Sequence, residues 1–308
     1  MNESQNPCLV AVLIPCYNEE LTIANVVTKF SKVWDGAVVY VYDNNSTDNT
    51  REKATKAGAI VRSVPKLGKG NVVRNMFANI EADVYVLVDG DDTYDSSKTT
   101  QMIQMCQEGY DLVNGVRKAI SSGSYPKGHQ FGNSMLSWLV KSGFSSDIQD
   151  MLSGLKVMSK RFVKSFPVFS YGFEIETEIT IHALELQCLI GEVDVTYSDR
   201  PEGSASKLST FKDGYKIIRS IFNFVRQSRP LLFYSLISLI LLVLAIGLGI
   251  PIVITYFQIH KVPRLPTAVL STGLVLLASL SMTAGLIVDA VKQSRIEAKK
   301  LLYLSIKK

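Results

Sequence analysis

The stretch Val84-Tyr85-Val86-Leu87-Val88-Asp89-Gly90-Asp91-Asp92 decides the fold class, because an apolar run leads directly into a cluster of carboxylates. A short apolar run that ends in turn-forming residues is typical of a buried strand. Asp89 and Asp91 have the D-x-D spacing with which one tight turn can aim two carboxylates at one cation. A solvated turn rich in Asp and Gly has the same composition, so the motif alone leaves both interpretations open.

Further apolar runs resemble this one and alternate with amphipathic helical stretches. The predicted strands are Leu9–Pro15, Ala37–Asp43, Ala59–Val64, Val84–Asp89 and Leu112–Gly115. Strands that alternate with helices predict an α/β fold with a doubly wound, mainly parallel sheet. Ligands of such sheets bind beyond the carboxyl ends of the strands. We therefore expect the polar residues that follow the strands to converge on one crevice.

Three of these strands end in polar residues that suit a nucleotide and a metal. Asp43 follows the second strand, and its simplest interpretation is turn and cap chemistry. Its place at the carboxyl edge, beside Pro15 and Glu19, favours contact with a nucleobase or ribose. A transfer that releases a nucleoside diphosphate must neutralise charge on the pyrophosphate, and Mg²⁺ or Mn²⁺ held by carboxylates does so. Asp89 and Asp91 are the predicted ligands of that metal.

Basic residues cluster at a predicted helix start, where backbone N–H groups and cations can meet phosphate. These residues are Lys66, Lys69 and Arg74, around Gly68 and Gly70. The segment lacks G-x-x-x-x-G-K-[ST], which disfavours a P-loop.

Two later segments suit a phosphate acceptor. Asp150 precedes a flexible Ser153-Gly154 turn and is expected to orient the acceptor or the metal. A phosphate acceptor is already ionised near neutral pH, so positioning matters more than a strong base. The stretch from Arg200 to Lys207 places cations and hydroxyls around glycine, where a lipid phosphate would lie. Its alternative is a basic segment that only contacts anionic headgroups.

The C-terminal third predicts a membrane anchor. The runs Leu231–Phe257 and Ala268–Val288 are uncharged, and each exceeds the roughly 20 residues needed to cross a bilayer. Between Phe211 and Val225, apolar residues recur at spacings of four and three, which predicts an amphipathic helix in the membrane interface. An ordinary core-packing helix is the alternative. Basic residues outside the two runs outnumber the pair between them, Lys261 and Arg264, which places both outer ends in the cytoplasm.

Composition argues against several other classes of protein. The net charge of +5 is concentrated near the predicted spans, and no aromatic-basic pattern of a nucleic-acid reader is present. The four cysteines are scattered without a CxxC pair, which argues against a zinc site. The three histidines form no triad pattern with Ser and Asp, which disfavours hydrolase chemistry.

Together these motifs resemble the family 2 glycosyltransferases, specifically the polyprenyl- and dolichyl-phosphate sugar synthases with a GT-A fold. The motifs are Pro15–Glu19, Asp43–Asp48, Gly68–Gly70, Asp89–Asp92 and Arg200–Lys207. The similarity covers roughly the first two-thirds of the chain, and the two-span tail resembles bacterial members with paired C-terminal helices. The predicted organisation is a cytoplasmic GT-A catalytic domain at 1–209, an interfacial amphipathic helix at 210–229, and a two-helix anchor with a short cytoplasmic tail at 230–308.

The resemblance implies transfer of a hexose or N-acetylhexosamine, with inversion, from a UDP- or GDP-sugar to undecaprenyl or dolichyl phosphate. The residues implied to bind the nucleotide-sugar are Pro15, Tyr17, Glu19, Asp43, Lys69 and Asp89. Those implied to bind the lipid phosphate or pyrophosphate are Arg117, Arg200, Ser206 and Lys207. Asp91, Asp150 and Arg200 are implied to be catalytic, and Asp89 and Asp91 to hold Mg²⁺ or Mn²⁺. The membrane is an implied partner and a homo-oligomer is compatible with the paired-helix relatives, whereas nucleic acid is not expected.

The chain departs from the family pattern at a few positions. The acceptor loop carries one inserted residue, Thr93 stands where many members have Gln, and His129 stands where Arg is frequent. Glu176 lies in the family's acidic helix start. A processive polysaccharide synthase and a non-catalytic nucleotide-sugar-binding scaffold remain the alternative functions. The sugar, the nucleotide base and the lipid length stay open.

Overall fold

The computed structural model describes residues 8–119, 148–168, 175–200 and 229–306. Its contacts divide the chain into two compact units. The first contains Met1–Thr210 together with Lys299–Lys308, and the second contains Phe211–Ala298. The last residues of the chain therefore belong to the first unit. The domain boundaries expected from the sequence stay a prediction.

A seven-stranded mixed sheet forms the centre of the first unit, in the order β3-β2-β1-β4-β6-β5-β7. The strands are β1 Val10–Cys16, β2 Val38–Asp43, β3 Ile60–Ser63, β4 Val84–Leu87, β5 Leu112–Ala119, β6 Lys156–Ser159 and β7 Ile190–Tyr197. β1 pairs in parallel with β2 and β4, β2 with β3, and β5 with β7. β6 runs antiparallel between β4 and β5. The predicted mainly parallel α/β sheet is confirmed.

Helices cover both faces of this sheet. Those of the first unit are α1 Ile23–Phe30, α2 Thr50–Lys56, α3 Lys69–Asn79, α4 Thr99–Gln107, α5 Lys160–Ser165 and α6 Ile175–Leu186. Alternate residues of β1 point to opposite faces. Val10, Val12 and Ile14 pack with α1 in one core, whereas Ala11 and Leu13 pack with α3 in the other. Two cores on one sheet are what the doubly wound arrangement requires.

The five predicted strands are present, with ends that differ by a few residues. β6 and β7 are absent from the prediction. β6 begins with the charged residue Lys156, and β7 alternates buried with partly exposed residues, so neither shows a continuous apolar run. The predicted amphipathic helix between Phe211 and Val225 lies outside the described residues.

Two long helices follow, α7 Pro230–Ile259 and α8 Leu265–Ser305. Both are long and apolar enough to cross a membrane, judged by length and composition. Within the second unit, hydroxyls bridge the two helices. Ser238 Oγ donates to the Ala278 carbonyl and Ser271 Oγ to the Ala245 carbonyl, both at 2.8 Å. Such small polar contacts are typical of helices that pack in an apolar solvent.

Candidate active site

The exit of β1 lies beside the exit of β2 at the carboxyl edge of the sheet. Pro15 pairs with Tyr42, and Cys16 with Asp43. Glu19 is buried, and its backbone N–H donates to Thr50 Oγ1 at 2.9 Å. Tyr17, which precedes it by two residues, is exposed. The loop after β1 is therefore held by its backbone while one aromatic side chain faces outward.

Asp43 ends β2 as a buried carboxylate. Both of its oxygens accept from the Ser46 N–H at 3.3 Å, which is a turn contact. Helix α2 begins at Thr50 with Asn49 as its N-cap, so these contacts form a turn and not a helix cap. β2, β1 and β4 are adjacent. Neighbouring strands lie about 4.8 Å apart, so β2, which ends at Asp43, is roughly 10 Å from β4, which leads to Asp89.

Asn44 fixes the loop before α3, a role that sequence reasoning missed. Its Nδ2 donates to the carbonyls of Val64 and Lys66 at 2.9 and 2.8 Å, and its Oδ1 accepts from the Gly68 N–H at 2.7 Å. Because Gly68 has φ +120, only glycine takes this conformation without strain. The next residue, Lys69, is thereby placed at the first position of α3.

Lys69 joins two carboxylates that come from distant parts of the chain. Its ammonium forms ion pairs with Asp89, which follows β4, and with Glu176 in the first turn of α6. Burial alone would lower the pKa of Lys69, but the charges of Asp89 and Glu176 outweigh it and raise that pKa. Lys69 therefore stays charged at every physiological pH.

Asp91 is buried beside a second cation. Arg200 Nη2 lies 2.7 Å from Asp91 Oδ2, and Thr93 Oγ1 donates to Asp91 Oδ1 at 2.7 Å. Burial and the neighbouring charge of Asp89 raise the pKa of Asp91. The two acids of the D-x-D motif thus repel each other, and each has its own basic partner.

A glycine makes room for Asp89. A Cβ added to Gly154 would lie 2.0 Å from Asp89 Oδ2. Gly154 is held in place by its backbone, since its N–H donates to the hydroxyl of the buried Tyr94 at 2.6 Å. Neither Gly154 nor Tyr94 was predicted as a site residue, although the Ser153-Gly154 turn was noted in the sequence.

Arg117 and Asp150 form the second half of the site. Arg117 Nε and Nη2 donate to the two oxygens of Asp150 at 2.7 and 2.8 Å. Burial acts to raise the pKa of Asp150, but the hydrogen bonds and charge of Arg117 outweigh it and lower that pKa. The guanidinium carbon of Arg117 lies 5.5 Å from the ring centroid of Tyr197. The planar cation is thus oriented by a bidentate partner and an aromatic ring.

The structure connects several predicted residues directly and leaves others apart. Lys69 contacts Asp89, Arg200 contacts Asp91, and Arg117 contacts Asp150. Pro15, Tyr17, Glu19 and Asp43 lie along the exits of β1 and β2. Ser206 and Lys207 lie outside the described residues.

The residues present suit a divalent cation whose coordination is completed by substrate. Asp89 and Asp91 supply hard carboxylate oxygens, the ligands that Mg²⁺ and Mn²⁺ prefer. Within residues 8–119, 148–168, 175–200 and 229–306, no three His, Cys, Asp or Glu side chains form a metal-binding group. In nucleotide sites, one or two carboxylates usually hold Mg²⁺, and phosphate oxygens and waters complete its coordination.

Known proteins resemble this chain in sequence and in fold. Residues 11–162 match the family described as Glycosyl transferase family 2. The chain is 30% identical to glycosyltransferase AglJ of Haloferax volcanii over 289 residues, which are 92% of this chain and 94% of that protein. It is 26% identical to a dolichyl-phosphate hexose transferase of the same organism over 220 residues, 71% of this chain and 95% of that protein.

A solved structure gives the fold independently. Glucosyl-3-phosphoglycerate synthase from Mycobacterium tuberculosis, in complex with Mn²⁺, uridine-diphosphate and phosphoglyceric acid, superposes with a TM-score of 0.57. The match covers 71% of this chain and 78% of that one at 21% identity, so it speaks for the fold alone. The matched family, the relatives and the mainly parallel α/β sheet all indicate the same family. This chain belongs to glycosyltransferase family 2 and is a glycosyltransferase with a GT-A catalytic domain.

Proposed function

We propose that this enzyme transfers a hexose or N-acetylhexosamine from a UDP- or GDP-sugar to a polyprenyl phosphate, with inversion and with a divalent metal. The acceptor would be undecaprenyl or dolichyl phosphate, reached at the cytoplasmic face of a membrane in which α7 and α8 are embedded.

The observation that carries this proposal is the pairing of each acid with its own cation at one edge of the sheet. Asp89 is paired with Lys69, and Asp91 with Arg200. Such paired charges suit a donor pyrophosphate and a metal. The metal can replace a basic side chain beside an acid, and the pyrophosphate can replace an acid beside a basic side chain. Carboxylates alone would repel the phosphates, and cations alone would not hold the metal.

The acceptor side is supported by Arg117. Its guanidinium presents donors in the fork geometry that matches phosphate oxygens, and Asp150 and Tyr197 fix its orientation. Arg200 lies at the start of the predicted acceptor loop. The two long apolar helices favour an acceptor that is itself in a membrane. One relative is named a dolichyl-phosphate hexose transferase, which supports the same class of acceptor.

The proposed reaction is a single displacement. An ionised oxygen of the lipid phosphate attacks the anomeric carbon, a new C–O bond forms, and the bond from that carbon to the nucleoside diphosphate breaks. The nucleoside diphosphate leaves with the bonding electrons, and no proton must be removed from the nucleophile. A divalent metal, when bound, would neutralise charge on the leaving pyrophosphate. Asp89 and Asp91 would hold it, Lys69 would face the donor, and Arg117 would align the acceptor.

The first test is a turnover assay on the full chain in detergent with Mg²⁺ or Mn²⁺. A panel of UDP- and GDP-sugars is offered with undecaprenyl phosphate, and the lipid-linked sugar is measured. We expect one donor class to give product and EDTA to stop the reaction. Asp91→Asn should lower turnover by at least about 100-fold, the usual effect of losing an electrostatic catalytic group. Asp35→Asn is the control, since Asp35 is exposed in the loop before β2.

Two outcomes would contradict the proposal. Turnover that is unchanged in Asp91→Asn would remove the metal role from this acid. Saturable binding of a nucleotide-sugar, without product from undecaprenyl phosphate, would instead favour the non-catalytic scaffold.

A further inference from the structure

One buried cation next to the site has no role in the proposed reaction. Lys156 opens β6, where it pairs with Leu87 of β4 and Asn114 of β5, and its exposed fraction is 0%. Lysine is almost never fully buried unless it has a partner, because an ammonium loses its hydration there. A methionine would fill the same space without that cost.

The ammonium of Lys156 reaches the site through a neutral amide. Its Nζ donates to Asn114 Oδ1 at 2.7 Å and to Thr180 Oγ1 at 3.4 Å. The same Asn114 donates from Nδ2 to the carbonyl of Asp150 at 2.7 Å and to Glu192 Oε1 at 3.3 Å. Because Lys156 can only donate, it forces the oxygen of Asn114 toward itself and the amide nitrogen toward Asp150.

The oriented amide of Asn114 is linked through Asp150 to Arg117, the residue proposed to bind the acceptor phosphate. Asp150, whose backbone carbonyl is held by Asn114, binds Arg117 through both carboxylate oxygens. Thr180, the other partner of Lys156, donates to the carbonyl of Glu176 at 3.1 Å. The Lys156 ammonium therefore contacts Asn114, which holds Asp150, and Thr180, which holds Glu176.

We propose that Lys156 is a positioning residue for the phosphate acceptor: it orients Asn114, and through Asp150 it orients Arg117, while its charge adds positive potential beneath the acceptor site. This inference rests on the proposed function, since it concerns the phosphate that Arg117 would bind.

Charge at Lys156 depends on pH in an accessible range. Burial lowers the pKa of Lys156 to about 8, although Asp150, Glu176 and Glu192 act to raise it; Arg117 acts in the same direction as burial. Above pH 8 the side chain becomes neutral in the folded enzyme, and its positive potential is lost. The unfolded chain keeps the ordinary pKa of 10.5. Between about pH 8 and 10.5 the unfolded state binds more protons, so Lys156 makes stability rise with pH there.

The test compares Lys156→Met and Lys156→Gln with wild type, as full chains in detergent with the donor sugar found active. Met removes the donor and the charge, whereas Gln keeps an amide donor and removes the charge. We expect Lys156→Met to raise the KM for undecaprenyl phosphate roughly tenfold, near the lower bound for a hydrogen bond to a charged group. The KM for the donor should stay unchanged. We also expect the acceptor KM of wild type to rise above pH 8, and this rise should be absent from both variants.

Thermal unfolding separates positioning from stability. Removing a desolvated charge should leave the unfolding temperature of Lys156→Met at or above that of wild type near pH 7. Lys164→Met is the matched control, because Lys164 donates to the carbonyls of Phe77 and Ile80 at 2.8 and 2.9 Å, away from the site. That variant should lose stability and keep its acceptor KM.

The inference is overturned if both variants keep the wild-type acceptor KM and its increase above pH 8. It is also overturned if turnover falls only as far as the unfolding temperature falls. Should Lys156→Met fail to fold, Lys156→Gln decides the question by the same two readouts. Wild type that makes no lipid-linked sugar defeats the proposed function and this inference together. Wild type that turns over while both variants match it defeats the inference alone.

Discussion

At the scale of single residues, the site depends on close contacts that leave no spare volume. Asp89 is the clearest case, because its carboxylate occupies the space that any side chain at position 154 would fill. Gly154 cannot shift freely, since its N–H is bonded to Tyr94. The position of the Asp89 carboxylate, which we propose as a metal ligand, therefore depends on the absence of a side chain at position 154.

Gly154→Ala tests this contact. The added Cβ would overlap the Asp89 carboxylate, which pairs with Lys69 and must shift. We expect turnover to fall by up to about 100-fold, the loss that can follow a misplacement of roughly 1 Å. A cross-check is Gly273→Ala, where an added Cβ meets nothing within 4 Å. Equal turnover in the two variants, measured with the same donor and acceptor, would show that Asp89 tolerates displacement.

At the scale of elements, α3 breaks a local rule. Its first residue is Lys69, and a cation at a helix N-terminus is unfavourable because the helix dipole is positive there. Asp89 and Glu176 offset this cost by pairing with the ammonium. Local violations of this kind are expected at functional sites, where chemistry overrides propensity.

Lys69→Met would leave two carboxylates without this partner in a buried site. We expect the free energy of unfolding to fall by about 3–5 kcal/mol, the usual cost of breaking a buried ion pair. Lys56→Met is the comparison, since Lys56 pairs with Glu52 on the surface with side chains 73% and 61% exposed. Its loss should lower the free energy of unfolding far less than the loss of Lys69, because exposed ion pairs are screened by solvent. Denaturant unfolding of both variants at pH 7 measures the difference, and similar losses would mean that the Lys69 pairs contribute little.

At the scale of the whole molecule, the end of the chain returns to the catalytic unit. Residues Lys299–Lys308 belong to the first unit. The hydroxyl of Tyr303 donates to Asp111 at 2.5 Å, directly before β5, and Lys299 pairs with Glu185 at 2.7 Å, near the end of α6. Arg161 lies over the Tyr303 ring at 4.0 Å. The segment therefore braces β5 and α6, the elements that carry Arg117 and Glu176.

Tyr303→Ala should destabilise the first unit by about 3 kcal/mol, the range for truncating a buried aromatic residue. Leu304→Ala, one residue further and 70% exposed, should change stability by less than about 0.5 kcal/mol. Limited proteolysis and thermal unfolding of the full chain report both effects. Equal protease resistance in the two variants would mean that the C-terminal segment does not brace this unit.

The fold was predictable where the signal was local. β1 and β4 are apolar along almost their whole length, because a strand buried on both faces needs apolar residues at nearly every position. β2, β3 and β5 each contain a shorter apolar run. The same logic placed Asp43 and Asp89 at strand exits. β6 and β7 carried no such run, and Lys156 in particular is a charged residue that sequence reasoning would assign to the surface.

The sequence by itself determined the α/β class, the edge at which the acids gather, and two helices long enough to span a bilayer, because each follows from residues adjacent in the chain. Only the tertiary structure decided which charges meet. Lys69 and Glu176 are 107 positions apart, so no spacing rule could pair them. Contacts of this range depend on the path of the chain through the sheet. Once the strands have paired, Gly154 lies against the Asp89 carboxylate and Lys156 donates to Asn114. The lack of space at Gly154 and the burial of the Lys156 ammonium arise only in that paired sheet.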